Sequence, residues 1–330
     1  MRTPGLLDLQ VNGYAGVDFN DAGLSADALD HALAVMRRSG VTQCLPTLIT
    51  ATPDDLGARF AALDHAVAHS RLGPAMVPGY HLEGPFLNPA PASVGCHPPA
   101  AMRDADPALL ARLQTGLRRP ILLLTLAPEI PGAMVCIRAA VTQGICVALG
   151  HSLADAGDIA DAVAAGACLS THLGNALSAP VHKFANPLMA QLAADALAAS
   201  FIADGLHIPP DALKVFLRAK TLSRAILVTD ATAAAAAPPG MYDFAGMRIE
   251  RGADASVRLP GAIGLAGSAL TLDQAVRNLV AWGLAAPAQA VALASARPRA
   301  LLARARGAQA IGQNPGVVLW DAALQPRVLD

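Results

Sequence analysis

Residues 145–151 read Ile145-Cys146-Val147-Ala148-Leu149-Gly150-His151, a short apolar run that stops at a glycine and a histidine. A half-buried strand would alternate apolar and polar residues. A run this continuous suits a strand covered on both faces, as in a parallel sheet. Working outward, the same pattern recurs at Leu6–Val11, Val41–Leu48, Met76–Leu82, Ile121–Leu126, Cys168–His172, Ser200–Ala203 and Ala225–Val228. With Ile145–Leu149 that makes eight predicted strands. Between most of them lie Ala/Leu-rich segments with charges at helical spacing: Ala26–Arg38, Asp54–His69, Pro107–Arg118, Ala154–Ala165 and Pro210–Ala219. Strand–helix alternation of this kind predicts βαβ units, and eight of them predict an α/β fold closed into a (β/α)8 TIM-like barrel. The length of 330 residues accommodates a barrel of about 250 residues plus extra segments.

Polar, chemically capable side chains stand at the C-terminal ends of these strands: Gln10 and Asn12, Glu83, His151, His172, His207 and Asp230. In a barrel that rim is where a site is built. After the eighth strand come an Ala/Pro-rich loop, Ala231–Pro239, and a polar stretch, Met241–Arg258, that predicts a small hairpin. Helical patterns follow at Leu272–Trp282 and Pro287–Ala296, then a turn and strand within Asn314–Asp321.

Composition excludes several classes. Lys+Arg numbers 24 against 25 Asp+Glu, so the chain lacks the basic excess with which a nucleic-acid binder displaces counterions. The hydrophobic content of 54% argues against disorder. The mean hydropathy of +0.42 comes from alanine. The longest uncharged stretch, Ala162 to His182, is interrupted by Ser170, Thr171, His172, Asn175, Ser178 and Pro180, so no membrane span is expected. The N-terminus lacks a signal-peptide pattern. The five cysteines, Cys44, Cys96, Cys136, Cys146 and Cys168, are scattered without a C-x-x-C pair. Free thiols in a reducing cytoplasm are the expectation.

Glu83 ends an apolar strand and is followed by Gly84-Pro85. Taken alone it reads equally well as a strand-end carboxylate capping a neighbouring backbone. A lone histidine at a strand end, such as His151 or His172, is more often a hydrogen-bonded core residue than a ligand. Two histidines and a glutamate on three separate parallel strands are different, because barrel geometry points all three at one mouth. Two imidazoles and a carboxylate form a three-ligand set with an open position, suited to a divalent ion that activates water. Beside it, Asp230 is placed as a proton acceptor. His97, on the loop after Glu83, is a candidate to polarise a carbonyl. His207 follows the seventh strand and could reach a polar substrate.

Several stretches, taken in order, resemble the N-acetylglucosamine-6-phosphate deacetylases of the amidohydrolase superfamily. They are Leu7-Asp8-Leu9-Gln10-Val11-Asn12-Gly13, His81-Leu82-Glu83-Gly84-Pro85-Phe86-Leu87-Asn88, Thr125-Leu126-Ala127-Pro128-Glu129 and Gly150-His151-Ser152. Thr171-His172-Leu173-Gly174-Asn175-Ala176, Ile202-Ala203-Asp204-Gly205-Leu206-His207, Leu227-Val228-Thr229-Asp230-Ala231-Thr232 and Gly267-Ser268-Ala269-Leu270 complete the set. The resemblance implies a metal-dependent cytoplasmic enzyme of amino-sugar catabolism, a homodimer acting on a small amino-sugar substrate. It implies Glu83, His151 and His172 as ligands of one divalent metal ion per subunit, zinc first with iron or cobalt as alternatives. Asp230 takes the acid/base role and His97 the carbonyl-polarising role. His207, Asn175 and the backbone of Ala176 contact the sugar phosphate. Where many amidohydrolases carry H-x-H, this chain has Gln10-Val11-Asn12. An amide pair is a poor ligand set for a second ion, and the two residues are left to contact substrate.

Three departures stand out. Gly174 replaces an aromatic usual before the asparagine. The loop Leu177–Phe184 lacks the family's phosphate-binding arginine, and Lys183 is the nearest cation. The first barrel strand begins by Leu6, so the small β-sandwich that usually accompanies the barrel is expected to be reduced or largely missing, or the chain to be truncated at its N-terminus. The expected division is a catalytic barrel over 4–305 and a strand remnant over 306–330. The missing arginine and Gly174 keep open a same-mechanism enzyme acting on another N-acyl amine or an unphosphorylated amino sugar. A catalytically dead sugar-binding barrel fits poorly with the intact Glu83, His97, His151, His172 and Asp230.

Overall fold

A computed structural model describes residues 1–91, 93–177, 181–306 and 315–329. Its central feature is a parallel sheet of eight strands: β1 (Leu6–Val11), β2 (Val41–Ile49), β3 (Tyr80–Glu83), β4 (Ile121–Leu126), β5 (Cys146–Leu149), β6 (Leu169–Ser170), β7 (Ala198–Ile202) and β8 (Ala225–Val228). They follow one another in chain order around the sheet. The edges meet at the C-terminal rim, where Asp230 N donates to Gln10 O (2.9 Å) and Asn12 N to Ala231 O (2.7 Å). This is a nearly closed βα barrel, in keeping with the alternating apolar runs. Most strand residues are fully buried because the interior packs one face and the helices cover the other.

The helices form where the apolar spacing requires. Ala26–Arg38 buries Leu29, Ala32, Leu33 and Met36, one stripe at 3.6-residue periodicity, and Ser25 caps it by accepting from Ala28 N. Pro53–His69 starts with proline in its first turn, where the missing N–H costs nothing, and Thr52 accepts from Asp55 N. Each fully buried leucine of such a stripe contributes roughly 1.5–3 kcal/mol.

The structure corrects some boundaries. The strand predicted over Met76–Leu82 begins only at Tyr80, because Gly73–Met76 forms one helical turn. A Cβ at Gly79 would lie 2.4 Å from Pro120 O, so only glycine lets the chain enter the sheet there. The strand predicted to His172 stops at Ser170, and the chain turns before the histidine. The helix predicted to Arg118 ends at Gln114. Ala296–Arg306 is a further helix beyond the predicted Pro287–Ala296, which itself spans Pro287–Ala294. The polar stretch does form a hairpin, Gly240–Phe244 with Met247–Arg251, joined by Val257–Arg258.

The N-terminus also differs from the sequence reading. Arg2–Pro4 is a strand, antiparallel to Val317–Trp320, which pairs in turn with Pro326–Leu329. The small sheet therefore has three strands from both ends of the chain, where the sequence pointed to Val317–Trp320 alone. Pro4 belongs to this sheet, inside the span assigned to the barrel. Residues 307–314 of the expected C-terminal unit lie outside the described residues.

Below the rim, a side chain takes over the β8–β1 seam. Asp8 Oδ1 accepts from Gln10 N (3.3 Å) and Thr229 N (3.2 Å), and Asp8 Oδ2 accepts from the Thr229 hydroxyl (2.5 Å). Burial pushes the Asp8 carboxyl up to about 7, against the opposing pull of these hydrogen bonds. The folded chain thus holds a proton that the unfolded chain releases near pH 4, and this residue's contribution to stability falls as pH rises from about 4 to 7. Asp8→Asn keeps the acceptor and offers an N–H to Thr229. Urea unfolding across that range is expected to show a flatter stability–pH slope for the variant than for the parent chain. Equal slopes would contradict the account.

Candidate active site

The barrel's C-terminal mouth opens into a cavity of about 380 Å³. Glu83, the last residue of β3, points up into its floor and is 2% exposed. His151 and His172 each stand two residues beyond a strand end, after β5 and β6, and Asp230 stands in the same position after β8. All three have positive φ: 51°, 28° and 50°. A side chain in this left-handed region costs roughly 1–3 kcal/mol and persists only where surroundings enforce it. The strand ends are thus turned inward at the three positions that deliver polar groups to the axis.

The groups converge on the Glu83 carboxylate. His172 Nε2 lies 3.1 Å and His151 Nε2 3.4 Å from Oε1, and His97 Nε2 lies 3.8 Å from Oε2. Glu83, His97 and His151 offer ligand atoms all within 4.8 Å of one another. His97 therefore stands nearer the ligand cluster than its loop position suggested. Burial alone would raise the Glu83 carboxyl, but the adjoining histidines, with His172 hydrogen-bonded at 3.1 Å and His151 beside it, hold it well below the usual range. Burial would lower His172, yet its bond to Glu83 raises it. Burial and the neighbouring Glu83 charge push the Asp230 carboxyl up.

That close cluster takes in His97 and leaves out His172, the third ligand expected from the sequence. A divalent ion nevertheless fits Glu83 and His151, with His172 Nε2 in reach at 3.1 Å from Glu83 Oε1. His151 Nδ1 lies 2.8 Å from the Ser93 carbonyl, which only accepts, so Nδ1 carries the proton and Nε2 presents its lone pair. That Nε2 is buried without a hydrogen-bond partner among the described residues. A buried nitrogen lone pair beside a carboxylate, with its tautomer fixed from behind, is the arrangement of a metal-ligating imidazole.

Gln10 and Asn12 orient carboxylates. Gln10 Nε2 donates to Glu83 Oε1 (3.0 Å) and Asp230 Oδ1 (3.2 Å), and Asn12 Nδ2 donates to Asp230 Oδ1 (2.8 Å). Asn175 Nδ2 donates to His172 O (2.8 Å), and Ala176 follows in a left-handed conformation at φ 51°. His207 lines the cavity, its Nδ1 2.6 Å from Asp204 Oδ2. Burial opposes ionisation of Asp204, and the His207 hydrogen bond outweighs it and lowers the carboxyl. Lys183 is exposed, its Nζ 5.2 Å from the Phe184 ring, and it does not line the cavity. Ser178, Ala179 and Pro180 of its loop lie outside the described residues. Gly174, at φ 102°, lines the wall where a Cβ would meet Phe216 at 3.0 Å.

Other contributors carry no sequence signal. Ile49, Cys96, Phe244 and Leu265 form much of the apolar wall, and in sequence they read as ordinary core residues. Phe244 arrives on the hairpin, which packs on the rim through Phe244, Ile249 and Val257. Thr50 lies just beyond β2 and bonds His97 Nδ1 at 2.8 Å.

A nearly closed parallel barrel with carboxylates and imidazoles at its C-terminal mouth has the groups that a metal-dependent barrel hydrolase uses, and the relatives place the chain in that class. The chain belongs to the N-acetylglucosamine-6-phosphate deacetylase family. It is 35% identical over 339 residues to the human N-acetylglucosamine-6-phosphate deacetylase, covering 97% of this chain and 80% of that protein. It is 34% identical over 324 residues to an N-acetylgalactosamine-6-phosphate deacetylase from Escherichia coli O157:H7, covering 97% and 84%. Among solved structures, an Asp→Ala mutant of the Mycobacterium smegmatis N-acetyl-D-glucosamine-6-phosphate deacetylase, in complex with N-acetyl-D-glucosamine-6-phosphate, superposes with a TM-score of 0.89 at 30% identity, covering 99% and 85%. No protein-family model matches the chain.

Burial, reinforced by the neighbouring His151, pushes His97 down to about 3, so its imidazole is neutral at pH 7. The one Thr50 hydroxyl proton, given to Nδ1 at 2.8 Å in preference to the more distant Glu83 O at 3.4 Å, leaves the His97 proton on Nε2, facing the cavity. Ring ¹⁵N shifts are expected to show His97 protonated at Nε2, and Thr50→Val to shift that balance toward the Nδ1 form. An Nδ1-protonated ring in the parent chain would contradict the assignment.

Proposed function

We propose that the protein is a metal-dependent deacetylase that converts N-acetylglucosamine-6-phosphate to glucosamine-6-phosphate and acetate in amino-sugar catabolism. The observation that carries this reading is the convergence of Glu83, His151, His172 and Asp230 on one cavity, in a chain whose relatives bear that activity's name. One divalent ion per subunit suits Glu83, His151 and His172, and zinc, Fe(II) or Co(II) all accept two imidazoles and a carboxylate. When bound, such an ion supplies Lewis-acid polarisation and acidifies water.

The residues divide the remaining work. Asp230 takes a proton from the attacking water as its oxygen bonds to the acetyl carbon. His97 donates Nε2–H to the acyl oxygen as negative charge develops there. Asp230 then delivers the proton to the departing nitrogen as the C–N bond breaks, leaving acetate and the amine. Gln10 and Asn12 keep Asp230 and Glu83 in register for these transfers. They are read as orienting residues at the edge of the substrate site. His207, Asn175 and the backbone at Ala176 are the proposed sugar-phosphate contacts, with Lys183 as the loop cation nearest the phosphate end.

A second reading has one specific observation in its favour. Among the described residues, no lysine or arginine lines the cavity. That suits an unphosphorylated N-acetyl amino sugar or another N-acyl amine under the same mechanism. The family resemblance favours a homodimer and a cytoplasmic location, and no helix among the described residues is long and apolar enough to cross a membrane. The three-stranded sheet of Arg2–Pro4, Val317–Trp320 and Pro326–Leu329 is proposed as the part of the small β-domain that this chain carries, set beside a barrel that starts at Leu6.

Asp230→Asn is expected to keep the metal and lose turnover by a factor of at least about 10², measured as acetate release. Near-normal activity would overturn the role of Asp230. The parent enzyme is expected to favour N-acetylglucosamine-6-phosphate over N-acetylglucosamine in kcat/KM. The reverse order would establish the second reading.

A further inference from the structure

Glu129 has no part in the chemistry above. It lies three residues beyond the end of β4, is half-buried, and does not line the cavity. Its carboxylate nevertheless receives three hydrogen bonds from two different loops. Oε1 accepts from Asn88 Nδ2 (2.8 Å) and from Leu153 N (2.6 Å), and Oε2 accepts from the Ser152 hydroxyl (2.7 Å). Ser152 and Leu153 directly follow His151. Asn88 starts the loop that carries Ser93 and His97.

Both loops then close on His151. Asn88 N donates to His151 O (3.2 Å), and Asn88 O accepts from the Ser93 hydroxyl (3.0 Å). Ser93 O is the acceptor that fixes the His151 ring through Nδ1 (2.8 Å). The carboxylate thus holds the backbone on one side of His151 and the loop that grips its ring on the other. His151 itself sits at φ 51°, a conformation that relaxes unless its surroundings enforce it.

We infer that Glu129 is a positioning residue for the metal centre: by tying the loop after β3 to the turn after β5, it aims His151 Nε2 at Glu83. The inference rests on the proposed reading of His151 as a metal ligand. Partners that orient metal-ligating histidines from outside the ligand set typically change affinity or activity by about 10- to 100-fold when removed.

The test challenges the purified, metal-loaded protein with a zinc chelator and measures apparent Zn²⁺ affinity alongside the thermal midpoint of the metal-free chain. Glu129→Ala is expected to weaken zinc by about 10- to 100-fold while leaving the metal-free midpoint near that of the parent. Glu129→Gln keeps Oε1 for Asn88 and Leu153 and offers an N–H to Ser152, so it should restore most of the affinity. If Glu129→Ala does not fold, Ser152→Ala and Asn88→Ala each remove one arm and should each weaken zinc in part. Unchanged zinc affinity in these variants, or a lowered midpoint with unchanged affinity, would overturn the inference. A parent chain that holds no divalent metal would instead overturn the reading of the centre on which it rests.

Discussion

The site depends on a carboxylate that has been taken out of water. Glu83 is almost wholly buried at the end of a barrel strand, and an isolated charge there would be several kcal/mol too costly to hold. It is tolerable because its surroundings supply compensation: Gln10 donates to it directly, and three imidazoles lie within 3.8 Å. That compensation defines a place where a cation is stabilised and where a neighbouring acid, Asp230, is held beside like charge. The same constraint accounts for the left-handed backbone at His151, His172 and Asp230. Straight strand continuations would not turn these side chains to the axis.

Behind this inner cluster the barrel supplies an unusually polar floor. His81 is fully buried and pushed down to about 4 by its burial, so it is neutral. It lies 2.8 Å from the Thr125 hydroxyl and 3.3 Å from that of Thr47, and Thr125 continues to Thr171 at 2.7 Å. Buried polar groups of this kind are acceptable only when paired. Their pairing across β2, β3, β4 and the end of β6 ties together the strands that carry the site.

Much of this was legible in the sequence. Parallel strands announce themselves as continuous apolar runs, and strand-end polar residues must then share one mouth, so Glu83, His97, His151, His172, His207 and Asp230 all arrive at the cavity. What could not be read depends on contacts between distant segments. Thr50 looks like an ordinary loop residue, and Glu129 stands in a family-like stretch that assigns it no role, until folding brings them to His97 and to the turn after His151. Ile49 and Phe244 look like core residues because the cavity wall is itself apolar. Arg2–Pro4 is too short and too polar for periodicity to detect, since its strand character comes from pairing with Val317–Trp320, over three hundred residues away. Lys183 stands out as the cation nearest the place of the family's missing arginine, and a sequence position does not specify where a long side chain points.

The central claim is that Glu83 anchors one divalent ion through its partnership with the imidazoles. The most direct measurement is the metal-to-protein ratio of the purified chain, by elemental analysis, compared with that of Glu83→Gln. One ion per chain in the parent, with most of it lost in the variant, is the predicted result. An absence of metal in the parent, or full occupancy in Glu83→Gln, would contradict the account.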